Sequence, residues 1–523
     1  MPHSTSLRQA VHGTATALRS KLAMPGAIQR QVLQDILKTN AATAYGSVYQ
    51  FATINDAADF QTRLPIVTYD ALVPWIDRIV NGEQNILTVQ PVIAFEETGG
   101  STAGRKLIPY TADGLAAFRR GLLPWLDDLF SHHDGLASGA FYWSISPACR
   151  APRAAPTNIP IGLPSDAAYL GAEIGHAITA QLAVPAEAGQ IADFDGWRDY
   201  TMRHLLACED LSMISVWSPT FLTELLHHAK RHGDRLAAAI AEAGNAVRAR
   251  QVAHVLAQAQ PDYEALWPQL RMISCWDHAS ANLTAQLLRK LFPGTIVQGK
   301  GLLATEGLVT LPLTGYPFPV LALESGFFEF IDERGTALLA EQVQDGATYG
   351  LVMTTHSGLY RYAIGDMVTV RGFADRTPML EFVGRSNTAS DLCGEKLTDA
   401  FVMSKLALLE QSFAMLAPFN DDSRQGYVLL LDNRNASVEM AHRLAVRLDT
   451  LLEDNPQYAY ARRLGQLSAV VPVLCEYPAA SWLEYRSRTR GVRLGDVKMP
   501  ALHPGTDWRM WARIAPRIVP SHM

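Results

Sequence analysis

The stretch Thr98-Gly99-Gly100-Ser101-Thr102-Ala103-Gly104-Arg105-Lys106 constrains this chain more than any other. It follows an apolar run, Val92 to Phe95, that reads as a buried strand. Residues 107–110 (Leu-Ile-Pro-Tyr) read as extended, because a residue preceding proline is pushed out of the helical region. Successive glycines let backbone N–H groups turn toward one point, and Ser and Thr hydroxyls add donors. Such a nest suits a polyphosphate, with Arg105 and Lys106 adding charge beside it. Gly99 and Gly104 have the spacing of a Walker A loop, but Arg105 and Lys106 stand where Lys and Ser or Thr belong. A nucleophile elbow, Gly-x-Ser-x-Gly, is broken by Ala103, and Pro109 argues against a helix starting at once. Taken alone, the loop also fits a flexible surface turn.

A chain of 523 residues exceeds one comfortable core, so two domains are expected. No apolar run approaches the roughly 18 residues of a membrane span. The first 19 residues carry Arg8, His12 and Arg19 and no apolar centre, so a secretory signal is not expected. With 45 basic and 51 acidic residues, a net charge of −6, nothing points to nucleic acid or an anionic membrane as partner. The five cysteines, Cys149, Cys208, Cys275, Cys393 and Cys475, form no CxxC pair and read as reduced cytosolic thiols.

Helical periodicity opens the chain, with Ile28, Val32, Leu33, Ile36 and Leu37 on one face. Residues 65–69 and 74–76 read as short apolar stretches broken by turns. From 112 to 300 helical and strand-like stretches alternate. Leu283, Leu287, Leu288, Leu291 and Phe292 make a helix face ending at Pro293-Gly294, and Thr295-Ile296-Val297 follows as a strand. Residues 318–372 are strand-rich, with Phe327–Ile331, Tyr349–Thr354 and Met367–Val370 separated by turn residues. After Arg385 a polar stretch leads into a smaller α/β segment. It has a strand at Tyr427–Leu431 and a helix carrying Leu444, Leu448, Leu451 and Leu452. The boundary is therefore set at Arg385, giving domains of 1–384 and 385–523.

Three downstream stretches raise the loop above a surface turn. In Leu302-Leu303-Ala304-Thr305-Glu306-Gly307, a carboxylate near phosphates makes sense chiefly as a Mg²⁺ ligand. Seen alone, Glu306 reads as a surface or helix-start residue. Gly358-Leu359-Tyr360-Arg361-Tyr362-Ala363-Ile364-Gly365-Asp366 is a turn entering a strand. Asp366 can accept two hydroxyls, as a ribose diol requires, or can be an ordinary turn aspartate. Lys498, in Gly495-Asp496-Val497-Lys498-Met499-Pro500, is either a solvated surface lysine or a cation that offsets charge as a carboxylate attacks an α-phosphate.

In this order the motifs resemble the adenylate-forming superfamily, and more narrowly the Gretchen Hagen family of acyl-acid amido synthetases. The resemblance runs from about residue 28 to about residue 500. It includes Asn40-Ala41-Ala42-Thr43-Ala44-Tyr45-Gly46, Ile76-Asp77-Arg78-Ile79-Val80-Asn81-Gly82-Glu83 and Phe327-Phe328-Glu329-Phe330-Ile331. Thr354-Thr355-His356-Ser357-Gly358-Leu359-Tyr360-Arg361-Tyr362 is its most specific match. It implies an α/β fold. A large N-terminal adenylate-forming domain would have mixed sheets flanked by helices and a β-rich part, followed by a small mobile α/β C-terminal domain. It further implies that the loop from Thr98, with Gly100, Ser101 and Thr102, holds ATP phosphates. Thr305 and Glu306 would sit by the α-phosphate and Mg²⁺, Phe328 near the adenine and Asp366 on the ribose. Arg385 would mark the hinge, and Lys498 would be the mobile catalytic lysine.

The departures are Leu302 where an aromatic residue is usual, His356 where plant members tend to have tyrosine, and Gly394-Glu395-Lys396-Leu397, which looks bacterial. The implied reaction has two halves. A carboxylate attacks ATP to give acyl-AMP and pyrophosphate, and an amine then takes the acyl group and AMP leaves. The alternatives are a thioester-forming acyl-CoA ligase and a non-catalytic nucleotide-binding protein on the same scaffold. His228 and His232, at i and i+4, lack a third metal ligand and read as a solvated helix. Arg486, Arg488, Arg490 and Arg493 read as a charged face. Trp125, Tyr142 and Trp143 are candidates for an apolar acyl pocket, with aromatic core packing as the alternative.

Overall fold

The computed structural model describes residues 2–99, 105–144, 153–156, 158–163, 169–385, 389–421, 424–490, 494–503 and 505–515. Three sheets organise the chain before Arg385. The first is a four-stranded sheet in which Val92–Gly99 pairs antiparallel with Arg105–Thr111. The second is a four-stranded parallel sheet in the order Ala140–Trp143, Leu211–Ser215, Met272–Cys275, Ile296–Gly299. The third is a seven-stranded sheet built from segments between Thr310 and Arg385, its centre formed by Phe327–Ile331, Thr348–Thr354, Tyr362–Ala374 and Thr377–Arg385.

The sequence explains these choices. Every residue of Leu211–Ser215 and of Met272–Cys275 is buried, as parallel strands covered by helices on both faces must be. The expected helix face lies on Pro25–Thr39, where Val32, Leu33, Ile36 and Leu37 are buried. The expected faces at 283–292 and 444–452 lie on helices Asn282–Leu291 and Val438–Leu452. The stretch around Pro74 differs from expectation. Instead of turns it forms one helix, Tyr69–Val80, with Pro74 inside it. Proline removes one intrahelical N–H, yet Leu72, Ile76 and Ile79 bury a continuous stripe that carries the helix through it.

After Arg385 comes a three-stranded sheet, Ala414–Asp421, Arg424–Asp432 and Val471–Cys475, with mixed pairing. Its two faces serve different cores. Leu416, Leu429 and Leu431 pack with Leu444, Leu448 and Leu452 of the helix that follows. Met415, Ala417, Phe419, Val428 and Leu430 pack instead in one cluster with Ile214, Ile273, Phe221 and Leu225 from before Arg385. Successive strand residues point to opposite faces, so this alternation lets one short sheet close its own core and dock on the rest of the chain. Among the described residues, no helix is long and apolar enough to cross a membrane.

Candidate active site

Thr305 and Glu306 occupy the two-residue turn of a small hairpin, Leu303–Ala304 with Gly307–Leu308. Tyr110 Oη donates to the Thr305 carbonyl at 2.5 Å, which fixes the turn against the strand leaving the glycine-rich loop. Tyr362 Oη donates to Glu306 Oε1 at 3.4 Å, and Lys106 Nζ lies 3.5 Å from that hydroxyl. Burial raises the proton affinity of the Glu306 carboxyl. Arg385 and Lys106 act the other way, and Asp366 raises it further, so four charged side chains act on one another here.

Asp366 and Arg385 are cross-strand partners on Tyr362–Ala374 and Thr377–Arg385. Arg385 Nε donates to Asp366 Oδ1 at 2.8 Å. Asp366 is fully buried, and its Oδ2 has no hydrogen-bond partner among the described residues. A buried carboxylate oxygen left open is rare in a folded protein, because the desolvated acceptor gains nothing in return. Two hydroxyl donors of a bound molecule would satisfy it.

Lys498 follows the short helical turn Leu494–Asp496. Its ammonium sits over the Trp276 ring at 5.1 Å and the Phe382 ring at 5.6 Å. Phe382 lies on the strand that ends at Arg385, so the late lysine reaches the strand that presents the Asp366 partner. Trp482 Nε1 donates to the Lys498 carbonyl at 3.1 Å and holds the segment in place.

The structure thus brings Thr305, Glu306, Asp366 and Arg385 together and seats Lys498 on the Arg385 strand. Gly100, Ser101 and Thr102 lie outside the described residues. The backbone of Thr98 pairs with Lys106 and that of Gly99 with Arg105, so the paired strands run to both edges of the loop. Phe328 is fully buried in the central core, and its N–H donates to Gln29 Oε1 at 2.8 Å. A ring contact from Phe328 to an adenine would need that core to open.

Some site residues were not singled out from sequence. Tyr362 and Trp276 had no distinguishing pattern, although Tyr362 stands inside the most specific motif. Its neighbour Arg361, at φ 46°, turns inward and grips Glu329 with Nε at 3.0 Å and Nη2 at 2.8 Å. Gly358 of the same motif has φ 92°, and a side chain there would meet Leu87 Cβ at 2.7 Å. His228 is not on a solvated helix face, as its sequence suggested, but buried and paired with Asp199 at 2.7 Å.

Two family models match the chain, described as the GH3 family N-terminal domain over residues 15–297 and the GH3 family central domain over residues 319–385. Indole-3-acetic acid-amido synthetase GH3.8 of Oryza sativa subsp. indica is 26% identical, over 75% of this chain and 71% of the rice enzyme. Among solved structures, AtGH3.15 acyl acid amido synthetase in complex with 2,4-DB superposes with a TM-score of 0.80 at 18% identity, covering 96% of this chain and 97% of the other. A 2-hydroxyisobutyryl-CoA ligase in the postadenylation state with 2-HIB-AMP superposes with a TM-score of 0.57 at 11% identity, covering 94% and 92%. Both superpositions establish the fold.

Proposed function

Because the chain belongs to the GH3 family, we propose that it is an ATP-dependent amide ligase, which activates a carboxylic acid as acyl-AMP and transfers the acyl group to an amine. The observation that carries the reading is Asp366, buried with one oxygen held by Arg385 and the other open, in the charged cluster that contains Glu306.

In this reading Asp366 accepts the ribose hydroxyls. The loop from Thr98 through Gly100, Ser101 and Thr102 donates to the phosphates, and Thr305 lies beside the α-phosphate. Lys498 brings positive charge to the oxygens that gain charge as the acid carboxylate attacks phosphorus and pyrophosphate leaves. Glu306 fits a Mg²⁺ ligand, since burial disfavours its negative charge and a cation would restore it. Among the described residues no cluster of three His, Cys, Asp or Glu could hold a metal alone. One carboxylate with substrate phosphates completing the shell is an ordinary Mg²⁺ arrangement, and the ion would supply charge neutralisation on those phosphates.

For the second half-reaction, residues 385–523 would rotate about Arg385 as a mobile domain, admitting the amine to the acyl carbon. The docked face they would leave is apolar, with Met415 and Phe419 in the shared core, which favours the docked state at rest. The free thiols of Cys208, Cys275, Cys393 and Cys475 support a reducing, cytoplasmic setting.

The test is pyrophosphate release with ATP across aryl, aliphatic and indolic acids, followed by mass analysis with a mixed amino-acid pool and coenzyme A both present. Acid-dependent release and an amide product are expected. Acyl-CoA with no amide would favour the thioester ligase. ATP binding without acid-dependent release from any acid would favour a non-catalytic nucleotide-binding protein.

A further inference from the structure

Helix Pro478–Arg490, in the segment after Arg385, meets an earlier helix on one face and Lys498 on the other. Glu484 Oε1 accepts from Arg198 Nη2 at 2.7 Å. Arg488, one turn on and so on the same face, has its guanidinium 5.0 Å from the Phe194 ring. Arg198 and Phe194 both belong to helix Phe194–Ala207, which lies before Arg385. Trp482, two residues before Glu484, leaves its helix on the opposite side, and its Nε1 donates to the Lys498 carbonyl at 3.1 Å. The Lys498 ammonium in turn lies over Trp276 and Phe382.

The earlier helix is a firm support. Trp197, Met202, Leu205 and Leu206 bury it in the shared apolar core, and Asp199 on it is hydrogen-bonded to His228 at 2.7 Å. The Arg198 side chain is 9% exposed and that of Glu484 17%, and Arg198 Nη1 also donates to Asp195 Oδ1 at 2.9 Å. An ion pair this far from water is a poor source of stability, because desolvation offsets most of its attraction. Its best-attested use is to specify one arrangement among several. The apolar cluster that sets Met415, Ala417 and Phe419 with Ile214 and Phe221 supplies attraction without direction. The ion pair supplies direction, because its hydrogen bond forms only over a narrow range of distance and angle.

We propose that Arg198 and Glu484 are positioning residues for the adenylation step. Their ion pair sets helix Pro478–Arg490, and through Trp482 sets Lys498, in the orientation that serves the first half-reaction. The pair opens when residues 385–523 rotate for the second. The inference rests on the adenylation reading and on the domain rotation that belongs to it. Because the pair acts through Lys498, its loss lowers the rate of the first step and leaves nucleotide binding alone.

The test uses Glu484→Gln, which removes the charge, keeps an acceptor for Arg198 and leaves Asp195 beside it. Single-turnover pyrophosphate release at varied ATP, with benzoate, octanoate and indole-3-carboxylate in turn, reads the first step. Amide formation from added acyl-AMP of the same acids with a mixed amino-acid pool reads the second. Hydrogen exchange followed by mass spectrometry reads helix Pro478–Arg490 and residues 494–503 without turnover. Glu484→Gln should slow pyrophosphate release by about 10- to 100-fold, the range for a misplacement of about an ångström, with the KM for ATP unchanged. Amide formation from acyl-AMP should be as fast as in wild type or faster. Exchange should rise in those two segments and not in helix Val438–Leu452. In the Lys498→Ala background the same substitution should cost nothing more. Unchanged pyrophosphate release, equal losses in both steps, unchanged or uniformly raised exchange, or losses that add in the double variant would each overturn the proposal. Exchange raised only in those segments, in a protein that releases no pyrophosphate with any of the acids, would instead overturn the adenylation reading. The coupling of the ion pair to the Lys498 segment would then stand.

Discussion

Arg385 Nε donates to Asp366 Oδ1 at 2.8 Å across two antiparallel strands, and this pairing leaves Asp366 Oδ2 buried and open. The arginine fixes the carboxylate so that its second oxygen is aimed before any ligand arrives. Asp366→Asn should therefore leave the fold intact, yet raise the KM for ATP by about 10- to 100-fold, the range of a lost hydrogen bond to a charged group. Pyrophosphate release at varied ATP reads this. An unchanged KM would remove Asp366 from the nucleotide site.

Lys498 is held over the Trp276 ring and over that of Phe382, which lies on the strand that ends at Arg385. Lys498→Ala should slow adenylation by about 100- to 1000-fold, the range for removing one preorganised electrostatic partner. ATP affinity, measured by titration, should change by only a few-fold. Adenylation at the wild-type rate would show that another cation does this work.

Glu306 is a carboxyl whose proton affinity is raised first by burial and then by Asp366. Its ionised form is the one that can hold a cation, so function is lost as pH falls through that raised pKa. The acid limb of kcat/KM for ATP should lie above the ordinary carboxylate range in wild type. Glu306→Gln should lose most activity and show no such limb. An acid limb that survives in the variant would have to belong to another group.

Arg361 and Glu329 form a fork-to-fork pair, both almost fully buried, and Arg361 Nη1 also donates to the carbonyls of Gln61 and Leu64. Removing one partner strands the other charge in the core. Arg361→Met should therefore destabilise the protein by about 3–5 kcal/mol, seen as a lower denaturant midpoint. A midpoint close to wild type would mean that water reaches this pair.

Burial, then Arg120, lowers the pKa of His356 from 6.5 to about 4, while Asp113 and Asp35 act weakly the other way. Arg120 Nη2 is 3.3 Å from Nε2. The unfolded chain takes up this proton at higher pH than the native one does. The stabilising contribution is therefore complete above about pH 6.5 and is lost as pH falls toward about 4. His356→Gln should show a shallower fall in thermal midpoint between pH 7 and about pH 4.5 than wild type. Parallel profiles would exclude His356 as a contributor.

Periodicity and punctuation made many of the elements legible. The apolar run Phe327–Ile331 became a strand with those bounds, and the stripe Val32, Leu33, Ile36, Leu37 became a helix face. Both follow from local geometry, where spacing alone fixes which side chains share a face. The helix through Pro74 was not legible, because its reason is tertiary: burial of Leu72, Ile76 and Ile79 outweighs one missing N–H.

The sequence by itself determined the order of the chemistry: a glycine-rich loop, Thr305-Glu306, Tyr362 to Asp366, and a late Lys498. Those are matters of residue type and spacing. Only the tertiary structure decided which members of each motif turn into the core and which keep an open polar atom. It turned Arg361 into the core and left Asp366 Oδ2 open. It also set Lys300, which no motif marks, among three tryptophans from a helix, a strand and a loop. Such a grouping joins residues far apart in the chain, and sheet register brings them together, which no local pattern encodes.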